Sequence, residues 1–136
     1  MIAVEAMPKL TLTILPDQFA VCRLSPDTDI PAWSRNEEFY SITRSRDELS
    51  IVCLSKDVPE NIRAECDWRA LKVRGPLDFS LTGILAAVIN PLSEVTIPIF
   101  AISTYDTDYI FVREDSLSQV VAILSEEGHS IDQPAR

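Results

Sequence analysis

The chain has 136 residues, room for one ordinary domain or two small modules sharing a core. Hydrophobic residues make up 46%, which predicts a packed globular fold rather than a disordered chain. Its 21 acids against 12 bases, a formal charge of −9, argue against a nucleic-acid surface and against an anionic membrane surface.

No apolar run approaches the roughly 20 residues of a membrane-spanning helix. The opening MIAVEAMPKL has an acid inside its apolar stretch and no basic flank, so no signal peptide is expected and the protein reads as cytoplasmic. Cys22, Cys53 and Cys66 lack CxxC spacing and read as reduced thiols. His129 is the sole histidine and has no HxxxH partner, so neither a metal site nor a cofactor is expected.

In chain order, residues 9–15 (KLTLTIL) alternate apolar and polar, the period of a half-buried strand. Pro16-Asp17 predicts a turn and residues 19–24 a second strand. Residues 25–37 predict a loop with at most one helical turn around 31–34. Strands are expected over 39–44 and 49–54, then a short helix over 58–66 with Asp57 as N-cap, then a strand over 68–73. Gly75-Pro76 punctuates the chain. Beyond it come a brief strand at 77–79 and a helix opening at 80–83, whose apolar stripe is Leu81, Leu85, Val88 and Leu92, with Pro91 near its end. A hairpin pairs 97–103 with 109–112. Ser116 is the expected cap of a last helix that Gly128 ends. Both halves fit a βαββαβ plan, the first with its opening helix reduced to a loop. The fold class is therefore α+β, two tandem ferredoxin-like units over 1–67 and 68–136.

Phosphate-binding, dinucleotide-binding and nucleophile-elbow motifs are missing, and Asp106 with Asp108 makes no convincing catalytic pair, so no catalytic residues are assigned. Binding is better supported. Thr82-Gly83 stands at the start of the strongest helix, where unpaired N–H groups favour a carboxylate. The hairpin connection Ser103-Thr104-Tyr105-Asp106-Thr107-Asp108 contains no Gly, Pro or Asn to help it turn, only hydroxyls and carboxylates. Asp108 or Asp106 there would receive an ammonium. The plainer readings are a glycine that only packs and a solvated turn.

The stretches PLDFSLTGIL (76–85) and IPIFAISTYDTDY (97–109) resemble the ACT-domain branch that includes the cytosolic arginine sensor, and the likeness extends over most of the chain. The resemblance implies two ACT-like units, regulatory amino-acid binding and no catalysis. It also implies ligand contacts from Thr82, Gly83, Ile84 and Leu85 on one segment, and from Ser103, Thr104, Tyr105 and Asp108 on the other. A homodimer is expected. The alternative is a structural or regulatory subunit acting on a protein partner through a sheet edge, with its ligand site vestigial.

Overall fold

The computed structural model describes residues 8–75 and 83–133, so the expected strand at 77–79 lies outside the described residues. In order, the described elements are β1 (Thr11–Leu24), β2 (Ser41–Arg44), β3 (Leu49–Leu54), β4 (Arg63–Val73), α1 (Ile84–Glu94), β5 (Ile99–Ser103), β6 (Asp108–Arg113), α2 (Leu117–Glu126) and β7 (Ser130–Asp132). The protein is α+β. It divides into an inserted unit, Asp17–Trp68, and a split unit drawn from Met1–Pro16 and Arg69–Arg136.

This grouping differs from a division into 1–67 and 68–136, because the start of the chain joins the second half. The cause lies in β1. Its first residues pair in parallel with β7, Thr11 opposite Ser130, and its last pair antiparallel with β3, Phe19 opposite Leu54. The expected turn at Pro16-Asp17 is not there, and β1 runs straight through. A proline breaks a strand where its missing N–H is needed by a neighbour. Pro16 falls between the β7 register, which ends at Thr13, and the β3 register, which begins at Phe19.

In the inserted unit the sheet order is β2-β3-β1-β4. Its element sequence is βαββαβ with both helices reduced to single 3-10 turns, Ala32–Ser34 and Ser55–Asp57. Trp33, on the first of these turns, packs on a core of Ala20, Cys22, Leu49, Ile51 and Cys53, as a helix face would. The helix expected over 58–66 is replaced by a turn at 58–62, where Ile62 N–H donates to Pro59 O (3.2 Å), and then by the first residues of β4. Residues 63–68 (RAECDW) alternate, with Ala64 and Cys66 packed on that core while Arg63 and Glu65 are exposed.

The split unit follows β4-α1-β5-β6-α2-β7, and the start of β1 stands between β4 and β7. Ile84, Val88 and Leu92 of α1 and Val120 and Leu124 of α2 share one core with Leu71, Val73, Ile110 and Val112. This is the period-3.6 stripe read from the sequence, meeting the inward face of the strands. Three details depart from expectation. Pro91 lies inside α1, which continues to Glu94. Ser116 makes no side-chain cap, since α2 grows out of a 3-10 turn, Glu114–Ser116. Strand β7, beyond the last helix, was not anticipated.

Both helices close in the same way. At the end of α1, Thr96 N–H donates to Ser93 O (3.0 Å) and Ile97 N–H to Leu92 O (3.1 Å). At the end of α2, Gly128 N–H donates to Ser125 O (3.0 Å) and His129 N–H to Leu124 O (3.1 Å). This paired bonding requires a left-handed residue after the helix, usually glycine. Gly128 supplies it at φ 97°, whereas α1 uses the β-branched Thr96 at φ 59°. Thr96→Gly is expected to stabilise the protein by about 1 kcal/mol, read as a higher midpoint in urea with unchanged slope.

Candidate functional site

The polar hairpin turn is held by its own side chains. Ser103 lies opposite Asp108 in the β5–β6 register, which leaves Thr104 to Thr107 as the connection. Thr104 N–H donates to Thr107 O (2.8 Å), and the Thr104 hydroxyl bridges the turn, donating to Thr107 O (3.1 Å) and accepting from Thr107 N–H (3.3 Å). Among the described residues the only non-glycine positions with positive φ are Asp67 and Thr96. The turn thus closes without the left-handed residues of the tightest hairpins, and threonine replaces the expected Asn-Gly chemistry.

Thr107 decides where this turn goes. It is 4% exposed, and its hydroxyl donates to Val73 O at 2.6 Å. Val73 is the last residue of β4, the strand that leads to α1. One step on, Arg74 N–H donates to Thr11 O (2.8 Å), and Ser130 N–H donates to Leu10 O (2.9 Å). Pro8, just upstream, has its Cδ 3.9 Å from where a side chain on Gly83 would begin. The hairpin turn, the end of β4 and the start of α1 therefore converge on one end of the split unit's sheet. Thr107 was not among the residues singled out from sequence. Its only signal there was a hydroxyl directly before the strand it opens.

Gly83 is the N-cap of α1 at φ 77°. Among the described residues an added Cβ would meet Pro8 Cδ at 3.9 Å, an ordinary contact, while the left-handed backbone is one that glycine adopts without strain. Thr82 lies outside the described residues. Ile84 is buried and Leu85 packs against the core, so their side chains serve the fold and their backbone N–H groups are what they offer a ligand. Asp108 is half-buried and accepts a short hydrogen bond from Ser103 Oγ (2.5 Å). Ser103, Thr104 and Asp106 are exposed, and Tyr105 is 82% exposed at the turn's tip. Lys72 lies over the Tyr109 ring, 5.7 Å from its centroid, on the adjoining strands.

Elsewhere the structure holds little chemistry. In the inserted unit, the Cys53 thiol is pushed well up by its hydrogen bond with Cys22 and by burial, so it keeps its proton. Cys22 is shifted downward by the same hydrogen bond, against the effect of its burial. Among the described residues no group of three or more His, Cys, Asp or Glu side chains is arranged to hold a metal ion, and no helix is long and apolar enough to cross a membrane.

An ACT-domain family model matches residues 63–126, from the first residue of β4 through the last residue of α2. This segment belongs to the ACT-domain family. A second model, describing an N-terminal domain, matches residues 17–61, within the inserted unit. The bovine (Bos taurus) cytosolic arginine sensor for mTORC1 subunit 1 is 33% identical over 101 residues, covering 66% of this chain and 31% of that protein. The chain therefore spans less than a third of that relative's length. A crystal structure of an Agobacterium tumefaciens protein is 41% identical, with a TM-score of 0.90, covering 95% of this chain and 96% of that one. Aspartate kinase from Clostridium acetobutylicum shares the fold alone, with a TM-score of 0.63 at 10% identity over 89% of this chain and 35% of that one.

Thr107→Val removes the buried donor and leaves the Val73 carbonyl without it, at an expected loss of about 1–3 kcal/mol. Chemical denaturation measures this. Thr104→Val, on the exposed side of the same turn, is expected to lose less.

Proposed function

We propose that this ACT protein is a non-catalytic regulatory module that binds a free α-amino acid at the end of the split unit's sheet. The ligand carboxylate meets the backbone N–H groups of Gly83, Ile84 and Leu85 at the start of α1. Its ammonium is received by Asp108, with Ser103, Thr104 and Tyr105 around it. The observation that carries this reading is the Thr107–Val73 hydrogen bond, which draws the polar turn to the strand end that feeds α1. Likeness to an arginine sensor favours an amino acid over other small zwitterions.

The charges suit the assignment. Ser103 holds one Asp108 oxygen by donating to it, and this orients the carboxylate without neutralising it. A charge-assisted bond from an ammonium to such a group contributes about 1.5–3 kcal/mol. A glycine N-cap also leaves the approach to the first helical N–H groups without a side chain.

The test is a thermal-shift screen with each standard L-amino acid, because a ligand at about a hundredfold its Kd adds about 2.7 kcal/mol to the folded state. At least one amino acid is expected to raise Tm by several degrees. Asp108→Asn is expected to weaken that amino acid by about ten- to a hundredfold, and Asp106→Asn to leave it unchanged. Gly83→Asn tolerates the left-handed backbone yet puts a side chain in the carboxylate's path, so it is expected to fold and not bind. No shift with any amino acid would overturn the reading and favour the alternative, action through contact with a protein partner.

A further inference from the structure

His129 is 6% exposed, and both of its ring nitrogens are engaged. Nδ1 accepts from Leu10 N–H at 3.0 Å, so the ring proton sits on Nε2, which donates to Ala87 O at 3.1 Å. Ala87 is in α1, and the N–H that would ordinarily reach its carbonyl belongs to the residue four positions on. That residue is Pro91, which has no N–H. A buried carbonyl left without a donor is destabilising, and the histidine supplies the one the proline cannot.

The link continues toward the candidate site. Ala87 N–H donates to Gly83 O at 2.9 Å, so a single residue, Ala87, links His129 to the residue that caps α1. On its other side the ring holds Leu10, two residues from Pro8, whose Cδ lies 3.9 Å from where a side chain on Gly83 would begin. His129 therefore fixes both the first turn of α1 and the segment beside it. Its own placement is rigid, because its N–H closes α2 on Leu124 and the preceding Gly128 packs against Lys9. Lys9 Nζ in turn donates to Glu127 O at 2.6 Å, and an ion pair (2.9 Å) joins Arg74, just past β4, to Asp132 of β7.

We infer that His129 is a positioning residue for the amino-acid site, holding the opening of α1 through the Ala87 carbonyl that Pro91 leaves unfilled. The inference rests on the site reading above but adds a residue that touches no ligand. Its two bonds can be separated by substitution. The amide of glutamine reaches where Nε2 lies and can keep the Ala87 bond, while that of asparagine reaches only where Nδ1 lies and can keep the Leu10 bond.

The experiment measures titration calorimetry with whichever L-amino acid shifts the wild type, together with hydrogen exchange at the amides of residues 87–90. Both are made for His129→Gln and His129→Asn, each in the wild-type and Pro91→Ala backgrounds. His129→Asn is expected to weaken binding about tenfold and to speed exchange at these amides, while His129→Gln stays within about threefold of wild type. Pro91→Ala restores an N–H at position 91, so in that background the loss caused by His129→Asn should shrink to under about threefold. If His129→Asn does not fold alone, the Pro91→Ala/His129→Asn protein, compared with Pro91→Ala, still decides the point: a tenfold loss there overturns the inference. Equal losses for Gln and Asn whatever stands at 91, or lost stability with unchanged affinity and exchange, also overturn it. A wild type that binds no amino acid overturns the site reading and this inference together, whereas a binding wild type with indifferent variants overturns this inference alone.

Discussion

The geometry of the candidate site depends on one buried hydroxyl. Thr107 reaches from the hairpin to the last carbonyl of β4, and through that bond the free end of a β5–β6 ribbon becomes part of a defined surface. A hairpin tip held only by its own turn would sample many positions, since loop ends bury little and are the least stable parts of a fold. Here the backbone bond at Thr104, the hydroxyl bridge across the turn and the buried anchor act together. The side chains above them, Tyr105 and Asp106, can then be exposed without the backbone beneath them being loose.

Much of the architecture was legible because it follows hydrophobic periodicity. The stripe of Leu85, Val88 and Leu92, the apolar run of 49–54 and the paired runs around the hairpin all appear where the pattern puts them. The failures are instructive. Pro16 looked like a turn because the chain alone does not reveal that a strand can change partners at that point. The stretch after Asp57 looked like a helix start because Asp followed by Pro is a common N-terminal signal, yet the alternation in RAECDW already opposed it. Strand β7 is three residues long and takes its meaning from Thr11, more than a hundred positions away. No local pattern can show that.

The residues of the candidate site could be named from the sequence, but not how they stand to one another. Asp108 is half-sheltered at a strand start, as its place beside an apolar run suggested, but its first partner is Ser103. Gly83 could be recognised as special, and only the backbone angle says why. The turn without glycine made sense once threonine hydroxyls were seen closing it. His129 carried no motif at all. Its relation to Pro91 depends on a contact across 42 positions of sequence, and a lone histidine gives no hint of what it faces.

The division of the chain into an inserted and a split unit has a consequence for how the protein is made. In the inserted unit, β1 pairs with β3 over residues 19–24 and 49–54 and β2 with β3 over 41–44 and 49–52, so these partners are present soon after the unit is synthesised. The split unit must wait. Leu10 meets His129 across 119 residues, and Thr11 pairs with Ser130, so its first strand stays without that neighbour until Ser130 has been translated. Contacts so distant in sequence carry a large loop-closure entropy and make folding slow, unless something shortens the loop first. Early formation of the inserted unit does this, because it brings the two halves of its neighbour into reach before the last strand is added. Vectorial synthesis and nested topology thus favour one order of assembly, with the candidate ligand-binding unit completed last.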